Sequence, residues 1–145
     1  MPTTREAANI AGVKYESLRN WLKRGLLQHA QPQERAWRRY SETDYCILTL
    51  MREGLAAGIS VETMIDVCQD REVQRLFERL VDGHGYASFA KPHHLLIWQT
   101  SPEALFMLAH VRSIPDELAA NPSPVTLFDL THIQEQAQGR IARHA

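Results

Sequence analysis

The chain has 145 residues, 44% of them hydrophobic, which suits one domain of ordinary size or two small ones. Its formal net charge is −1, which excludes a uniformly basic coat for binding nucleic acid. No apolar run approaches the roughly 20 residues that cross a bilayer, and the first residues lack the apolar stretch of a signal peptide. We therefore expect a cytoplasmic globular protein without membrane contact.

The charge is distributed unequally along the chain. Residues 1–52 contain nine Lys and Arg against five acids, a balance of +4. Residues 53–145 contain seven against twelve, a balance of −5. A polyanionic partner is therefore expected to meet the first of these regions.

The basic region begins with the pattern of a helix-turn-helix. Thr3 or Thr4 starts a first helix, and Gly12 permits a tight corner before a second helix at 14–24. The second helix has three apolar residues at helical spacing, Leu18, Trp21 and Leu22. Its other face carries side chains suited to phosphates and base edges, namely Lys14, Tyr15, Arg19, Asn20 and Lys23. Gly25 is expected to end this helix in the left-handed conformation.

A wing is predicted to follow at 28–40. Residues 28–36 are polar and contain Pro32, so the helix cannot continue through them. The next four residues combine aromatic and basic side chains, in the order Trp37, Arg38, Arg39 and Tyr40. We interpret these pieces as the loop and returning strand of a small hairpin beside the second helix.

Three further helices are predicted before residue 82. Ser41 with Asp44 has the form of a capping box and starts the third helix, which Gly58 ends. Ser60 caps the fourth helix. The fifth helix has apolar residues at helical spacing, Val73, Leu76, Phe77 and Leu80. Such stripes favour packing in a core, with an interface to a second subunit as the alternative.

Two glycines within residues 82–85 indicate a boundary or hinge, which divides the chain into regions 1–82 and 83–145. Residues 95–98 and 125–128 read as strands, and 104–109 fits either a helix or a strand, with a strand favoured. Asp116 and Glu117 are predicted to lie at the start of a helix, where acidic residues favour the dipole. A capping box at Thr131 predicts a last helix that runs to about 143. The expected fold class is mainly α, an N-terminal winged helix-turn-helix with a helical extension followed by a small α+β C-terminal region.

Several spaced elements of this sequence occur in one order. They are Ala8, Gly12-Val13, Leu18-Arg19, Arg24-Gly25-Leu26-Leu27, Arg38-Arg39-Tyr40-Ser41-Glu42, Asp44, Gly58-Ile59-Ser60 and Glu62. Over about residues 4–70 the chain thereby resembles the DNA-binding domain of the MerR family of transcriptional regulators. It departs from that family in having no long dimerising helix after the fifth one and no cysteine cluster for soft metals.

The resemblance implies a homodimer that binds double-stranded promoter DNA, with RNA polymerase as a further candidate partner. The second helix would enter the major groove and the wing would lie on the backbone. Base-edge contacts are expected from Arg19, with Lys14, Tyr15 and Asn20 beside it. Phosphate contacts are expected from Lys23, Arg35, Arg38, Arg39 and Tyr40. For Arg19 the alternative is a structural salt bridge to Glu16.

Catalytic and metal sites are not expected. The sequence shows no nucleophile–base pair, phosphate loop or metal-ligand set, so we predict no enzyme activity and no cofactor. His84, His93 and His94 lack further ligands at a recognisable spacing and are interpreted as solvated or capping residues. Cys46 and Cys68 lie in apolar stripes and are expected to be buried, reduced thiols.

Two other functions fit the same sequence. One is a DNA-binding accessory of a mobile element, of the excisionase or partition type, which bends or bridges DNA. The other is a protein-interaction adapter whose helix-turn-helix no longer contacts DNA and whose acidic region is the working surface. The C-terminal region is expected to form the dimer interface or, alternatively, a ligand pocket.

Overall fold

The computed structural model describes residues 3–27, 40–83, 93–99, 104–120 and 123–144. Within these ranges it has seven α-helices, three strands and one 3-10 turn. They are α1 (Thr4–Ala11), α2 (Tyr15–Lys23), α3 (Glu42–Ala56), α4 (Val61–Gln69), α5 (Arg71–Val81), β1 (His94–Trp98), β2 (Leu105–Ala109), the 3-10 turn (Val111–Ser113), α6 (Ile114–Ala120), β3 (Val125–Asp129) and α7 (Leu130–Arg143). The predicted fold class, mainly α with a small α+β C-terminal region, is confirmed. The predicted wing, except for Tyr40, lies outside the described residues.

Capping side chains set the starts of the helices. The Thr3 hydroxyl accepts from the Glu6 amide, and the Glu6 carboxylate accepts from the Thr3 amide at 2.7 Å. Ser41 and Asp44 form the same reciprocal pair at the start of α3. These two arrangements satisfy amide groups that the first turn of a helix leaves without a partner. The predicted starts of α1 and α3 are therefore confirmed.

The start of α7 differs from the prediction. Asp129, and not Thr131, is the N-cap, and its carboxylate accepts from the amides of Thr131 and His132 at 3.0 and 3.4 Å. Asp129 is the last residue of β3 and has an extended backbone. Because the strand leads directly into the helix, Thr131 already lies within the first turn and cannot cap it.

A single apolar core joins the two regions of the chain. The central helix α3 is buried along residues 44–51, and α4, α5 and α7 pack against it. The apolar stripe of α5 is buried in this core, which confirms its predicted packing role. Leu18 from α2 and Leu130 from α7 belong to the same cluster. Regions 1–82 and 83–145 thus share one core, and their behaviour as separate units stays a prediction.

The three strands form an antiparallel sheet with β1 between β2 and β3. All three predicted strands, including the ambiguous one at 104–109, are confirmed. One face of the sheet contributes Leu95, Ile97 and Phe128 to the main core. On the other face Leu96 and Trp98 are buried in a second, smaller cluster. The edge strands β2 and β3 leave the apolar side chains of Leu105 and Leu127 exposed.

Both cysteines are buried and unpaired, as predicted. Burial, with the carboxylates of Glu42 and Asp44, raises the pKa of Cys46 to about 12. Burial also raises the pKa of Cys68. Both thiols are therefore held protonated and act as small apolar side chains.

Two kinds of feature are absent from the described part of the chain. No three His, Cys, Asp or Glu side chains lie together in an arrangement that would hold a metal ion. His84 is outside the described residues. None of the described helices combines the length and the apolar character needed to span a bilayer.

Candidate nucleic-acid interface

The corner between α1 and α2 sets the orientation of the second helix. Gly12 has φ 73°, in the left-handed region that glycine adopts without a steric penalty. Its neighbour Val13 donates from its amide to the Ala8 carbonyl at 3.0 Å. Leu18 and Trp21 are then fully or almost fully buried and attach α2 to the core. This attachment directs the opposite face of α2 outward.

The outward face of α2 carries the predicted polar residues. Arg19, Asn20 and Lys23 are exposed, and Lys23 follows the other two by four and three positions, the spacing that makes side chains neighbours on a helix surface. Lys14 is exposed at the N-cap position, and Tyr15 is half-buried at the first turn. The structure therefore places these five residues along α2, from its N-cap at Lys14 to its last residue, Lys23.

The cations on α2 make no ion pair within the described ranges. The salt bridges found there are Arg52–Glu53 at 2.8 Å and Arg75–Glu72 at 3.1 Å. The alternative interpretation, in which Arg19 is held by Glu16, is not what the structure shows. The Arg19 guanidinium instead lies 5.7 Å from the centre of the Tyr15 ring.

Tyr15 has a second cationic neighbour that sequence analysis missed. The Arg5 guanidinium, from the first turn of α1, lies over the same ring at 4.2 Å. Both distances are in the range of a cation–π interaction. A cation near the positive N-terminal end of a helix is unfavourable by itself. The position of Arg5 in the first turn was therefore a signal that its side chain has another role.

The remaining predicted site residues all lie in the predicted wing at 28–40. The Tyr40 hydroxyl lies 3.1 Å from the Thr4 hydroxyl, and the Tyr40 ring is tilted against Tyr45 at 6.1 Å between centroids. Burial raises the pKa of Tyr45 to about 12, so it remains neutral. Tyr40 is thus attached to the first helix and the core, and its phosphate contact stays a prediction. The three predicted wing arginines, Arg35, Arg38 and Arg39, lie outside the described residues.

Residues 3–71 match the family model described as MerR HTH family regulatory protein. These residues form a MerR-type helix-turn-helix domain. The match agrees with the resemblance seen over about residues 4–70 and supports a DNA-binding regulatory role for this part of the chain. No curated protein matches the chain. The described C-terminal elements, from β1 to α7, lie beyond the matched residues.

The corner of the MerR-type domain is also contacted by two arginines from elsewhere in the chain. A β-carbon placed on Gly12 would lie 2.5 Å from Nη1 of Arg140 in α7 and 2.8 Å from Nη1 of Arg52 in α3. Arg52 also donates to the Ala11 carbonyl at 3.5 Å. Neither arginine was predicted as a site residue, because only the folded chain brings α3 and α7 to this corner.

Positive charge is concentrated at the Gly12 corner. The pKa of the Arg140 guanidinium is lowered, first by burial and then by the nearby charges of Arg52 and Arg143, with Glu53 opposing the shift. Arginine remains protonated in proteins, so the lowered pKa indicates a positive charge that its surroundings compensate poorly.

Proposed function

We propose that this protein is a sequence-specific double-stranded DNA-binding transcriptional regulator. Its helix α2 enters the major groove, and residues 28–40 lie as a wing on the flanking backbone. The main observation that supports this proposal is the exposed cationic face of α2. That face is presented by two buried anchors, Leu18 and Trp21, and its cations make no ion pair within the described residues. The contribution of the wing is supported by its sequence alone.

The residue types on α2 suit separate tasks in a groove. Arginine grips the O6 and N7 acceptors of guanine with two donors, and asparagine pairs in a similar way with adenine. Arg19 and Asn20 are therefore assigned to base edges. Lys23, one turn further along, is assigned to a phosphate. The Tyr15 ring limits the positions open to the Arg19 guanidinium and so favours its ordered placement.

Binding as a homodimer is part of the proposal. A single helix-turn-helix covers few base pairs, and two-fold dimers gain affinity by binding two half-sites spaced by whole helical turns. Apolar side chains exposed in the C-terminal region support an interface there: Leu105, Val111, Leu118 and Leu127. A dimer bound at a promoter would have RNA polymerase as its second partner.

Substitutions on α2 test the DNA contacts. In Arg19→Ala, binding to a site selected from genomic fragments should weaken by about 1–3 kcal/mol, with a smaller loss on random duplex, because a base-edge contact is removed. In Lys23→Ala, binding should weaken on every sequence, and the slope of log K against log salt should fall by about one. Both are measured by fluorescence anisotropy with duplexes of equal length.

Arg71→Ala is the matched control, because Arg71 is an exposed arginine at the start of α5. It should leave both affinity and slope unchanged. If the unaltered protein fails to bind random duplex even at low salt, the proposed function as a DNA-binding regulator is rejected. The alternative function, a protein-interaction adapter, is then favoured. Protection of long tandem arrays, in place of a single promoter site, would favour the mobile-element accessory.

A charged residue in the apolar surface tests the dimer. Leu105 is 53% exposed in β2, and Leu105→Glu should convert a dimer to a monomer in analytical ultracentrifugation because a charge would have to be buried at the interface. Ala56→Glu, at an exposed residue of α3, is the control and should remain dimeric. If Leu105→Glu remains dimeric, the dimer interface does not include the surface around Leu105.

A further inference from the structure

We propose that Arg52, Arg140 and Arg143 form a binding site for a DNA backbone phosphate at the Gly12 corner. Through it the C-terminal helix α7 would take part in DNA binding beside α2. The inference rests on the proposed function and extends it, because α7 lies outside the residues of the MerR-type domain. We call these three residues the corner arginines.

Two of the corner arginines, Arg52 from α3 and Arg140 from α7, converge on Gly12. The space that a side chain would occupy at Gly12 is taken by the guanidinium groups of Arg140 and Arg52, at 2.5 and 2.8 Å from the position of a β-carbon. Arg143 follows one turn after Arg140 on α7, and its charge acts on the Arg140 guanidinium. The absence of a side chain on Gly12 is what allows two cationic groups to approach the backbone this closely.

The three arginines differ in the acceptors they have. Arg52 is paired with Glu53 at 2.8 Å and donates to the Ala11 carbonyl at the end of α1, where the helix dipole favours a cation. The Nε of Arg143 donates to the Gly139 carbonyl at 3.2 Å. Arg140 has no hydrogen bond or ion pair within the described residues. Its guanidinium therefore offers donors that the protein itself does not use.

The local charge balance favours an anion. Two neighbouring positive charges, those of Arg52 and Arg143, lower the pKa of Arg140, and one negative charge, that of Glu53, raises it. Like charges at short distance repel, and a phosphate placed between them would replace repulsion with charge-assisted hydrogen bonds. A guanidinium is well suited to this because its planar fork matches two phosphate oxygens.

The position of the cluster agrees with a phosphate from DNA. Gly12 precedes Lys14, the N-cap residue of α2, by two positions, and Lys14 makes no side-chain capping hydrogen bond. The start of α2 thus keeps amide groups and the positive end of the helix dipole two residues after the Gly12 corner. A backbone phosphate at the edge of the groove that α2 enters would meet both.

The salt dependence of DNA binding tests this site. Arg140→Gln removes the charge and keeps a polar side chain that can donate hydrogen bonds, and Arg140→Lys keeps the charge. Arg112→Gln, at an exposed arginine of the 3-10 turn, is the matched control. Dissociation constants are measured on random duplex across roughly 50–200 mM salt, and melting temperatures are measured for each variant.

The expected results separate a phosphate contact from a structural role. Arg140→Gln should lower the slope of log K against log salt by about one, Arg140→Lys should restore it, and Arg112→Gln should leave it unchanged. Arg143→Gln, at an exposed position, should also lower the slope while leaving the melting temperature unchanged.

Two outcomes would overturn the inference. If Arg140→Gln and Arg143→Gln keep the slope of the unaltered protein, the corner arginines do not contact phosphate, even where affinity or melting temperature falls. In that case α2 variants that still lose affinity leave the proposed function standing. If the unaltered protein does not bind duplex at low salt, both the site and the proposed function fail.

Discussion

Replacing Leu130 with alanine should lower the free energy of unfolding of the whole chain by about 2–5 kcal/mol, including that of the MerR-type domain. Leu130 is fully buried at the start of α7, and α7 packs against α1, α3 and α5. The substitution leaves a cavity in the core that both regions share, so every element of that core should lose stability. Urea unfolding followed by tryptophan fluorescence measures the loss, and amide hydrogen exchange shows where it occurs.

Leu127→Ala is the control for this experiment. Leu127 lies three residues earlier in β3 and is 49% exposed, so the same substitution removes little buried surface. In dilute protein, where dimer formation does not contribute, it should change the free energy of unfolding by no more than about 0.5 kcal/mol. If Leu130→Ala reduced amide protection in 93–144 alone, while α1 to α3 kept theirs, the chain would consist of two independently stable regions.

The local features of this fold could be read from the sequence because local groups produce them. The capping boxes of α1 and α3 connect residues three positions apart, and the conformation of Gly12 depends on its own missing side chain. The outward face of α2 follows from helical periodicity in the same way. The segment at 104–109 was ambiguous because its apolar run fits either element, and pairing with β1 decides between them.

The features that the sequence did not predict depend on contacts between residues that are distant in sequence. No pattern in α7 indicates that Arg140 reaches Gly12, since that contact requires α7 to pack beside α1. Similarly, the contact of Arg5 with Tyr15 depends on the angle between α1 and α2. The cap of α7 was misassigned for a related reason, because it depends on where β3 ends.

An added side chain at the corner should act mainly through the backbone conformation of Gly12. Gly12→Ala should lower the free energy of unfolding by about 1–2 kcal/mol, because a residue with a β-carbon is strained in the left-handed conformation. The new methyl group would lie 2.5 Å from Nη1 of Arg140 and 2.8 Å from Nη1 of Arg52. Both guanidiniums must move, but they are the ends of long, flexible side chains, so their movement should add little to the loss. Thermal or urea unfolding measures the effect.

Gly58→Ala separates the two contributions. Gly58 has φ 88°, also in the left-handed region, but a β-carbon there would meet no atom within 4 Å. It should therefore cost only the conformational part, about 1–2 kcal/mol. The losses for Gly12→Ala and Gly58→Ala should therefore be about equal. A clearly larger loss for Gly12→Ala, which shrinks when Arg140→Ala is added, would contradict this and would mean that α7 constrains the orientation of α2 through this contact.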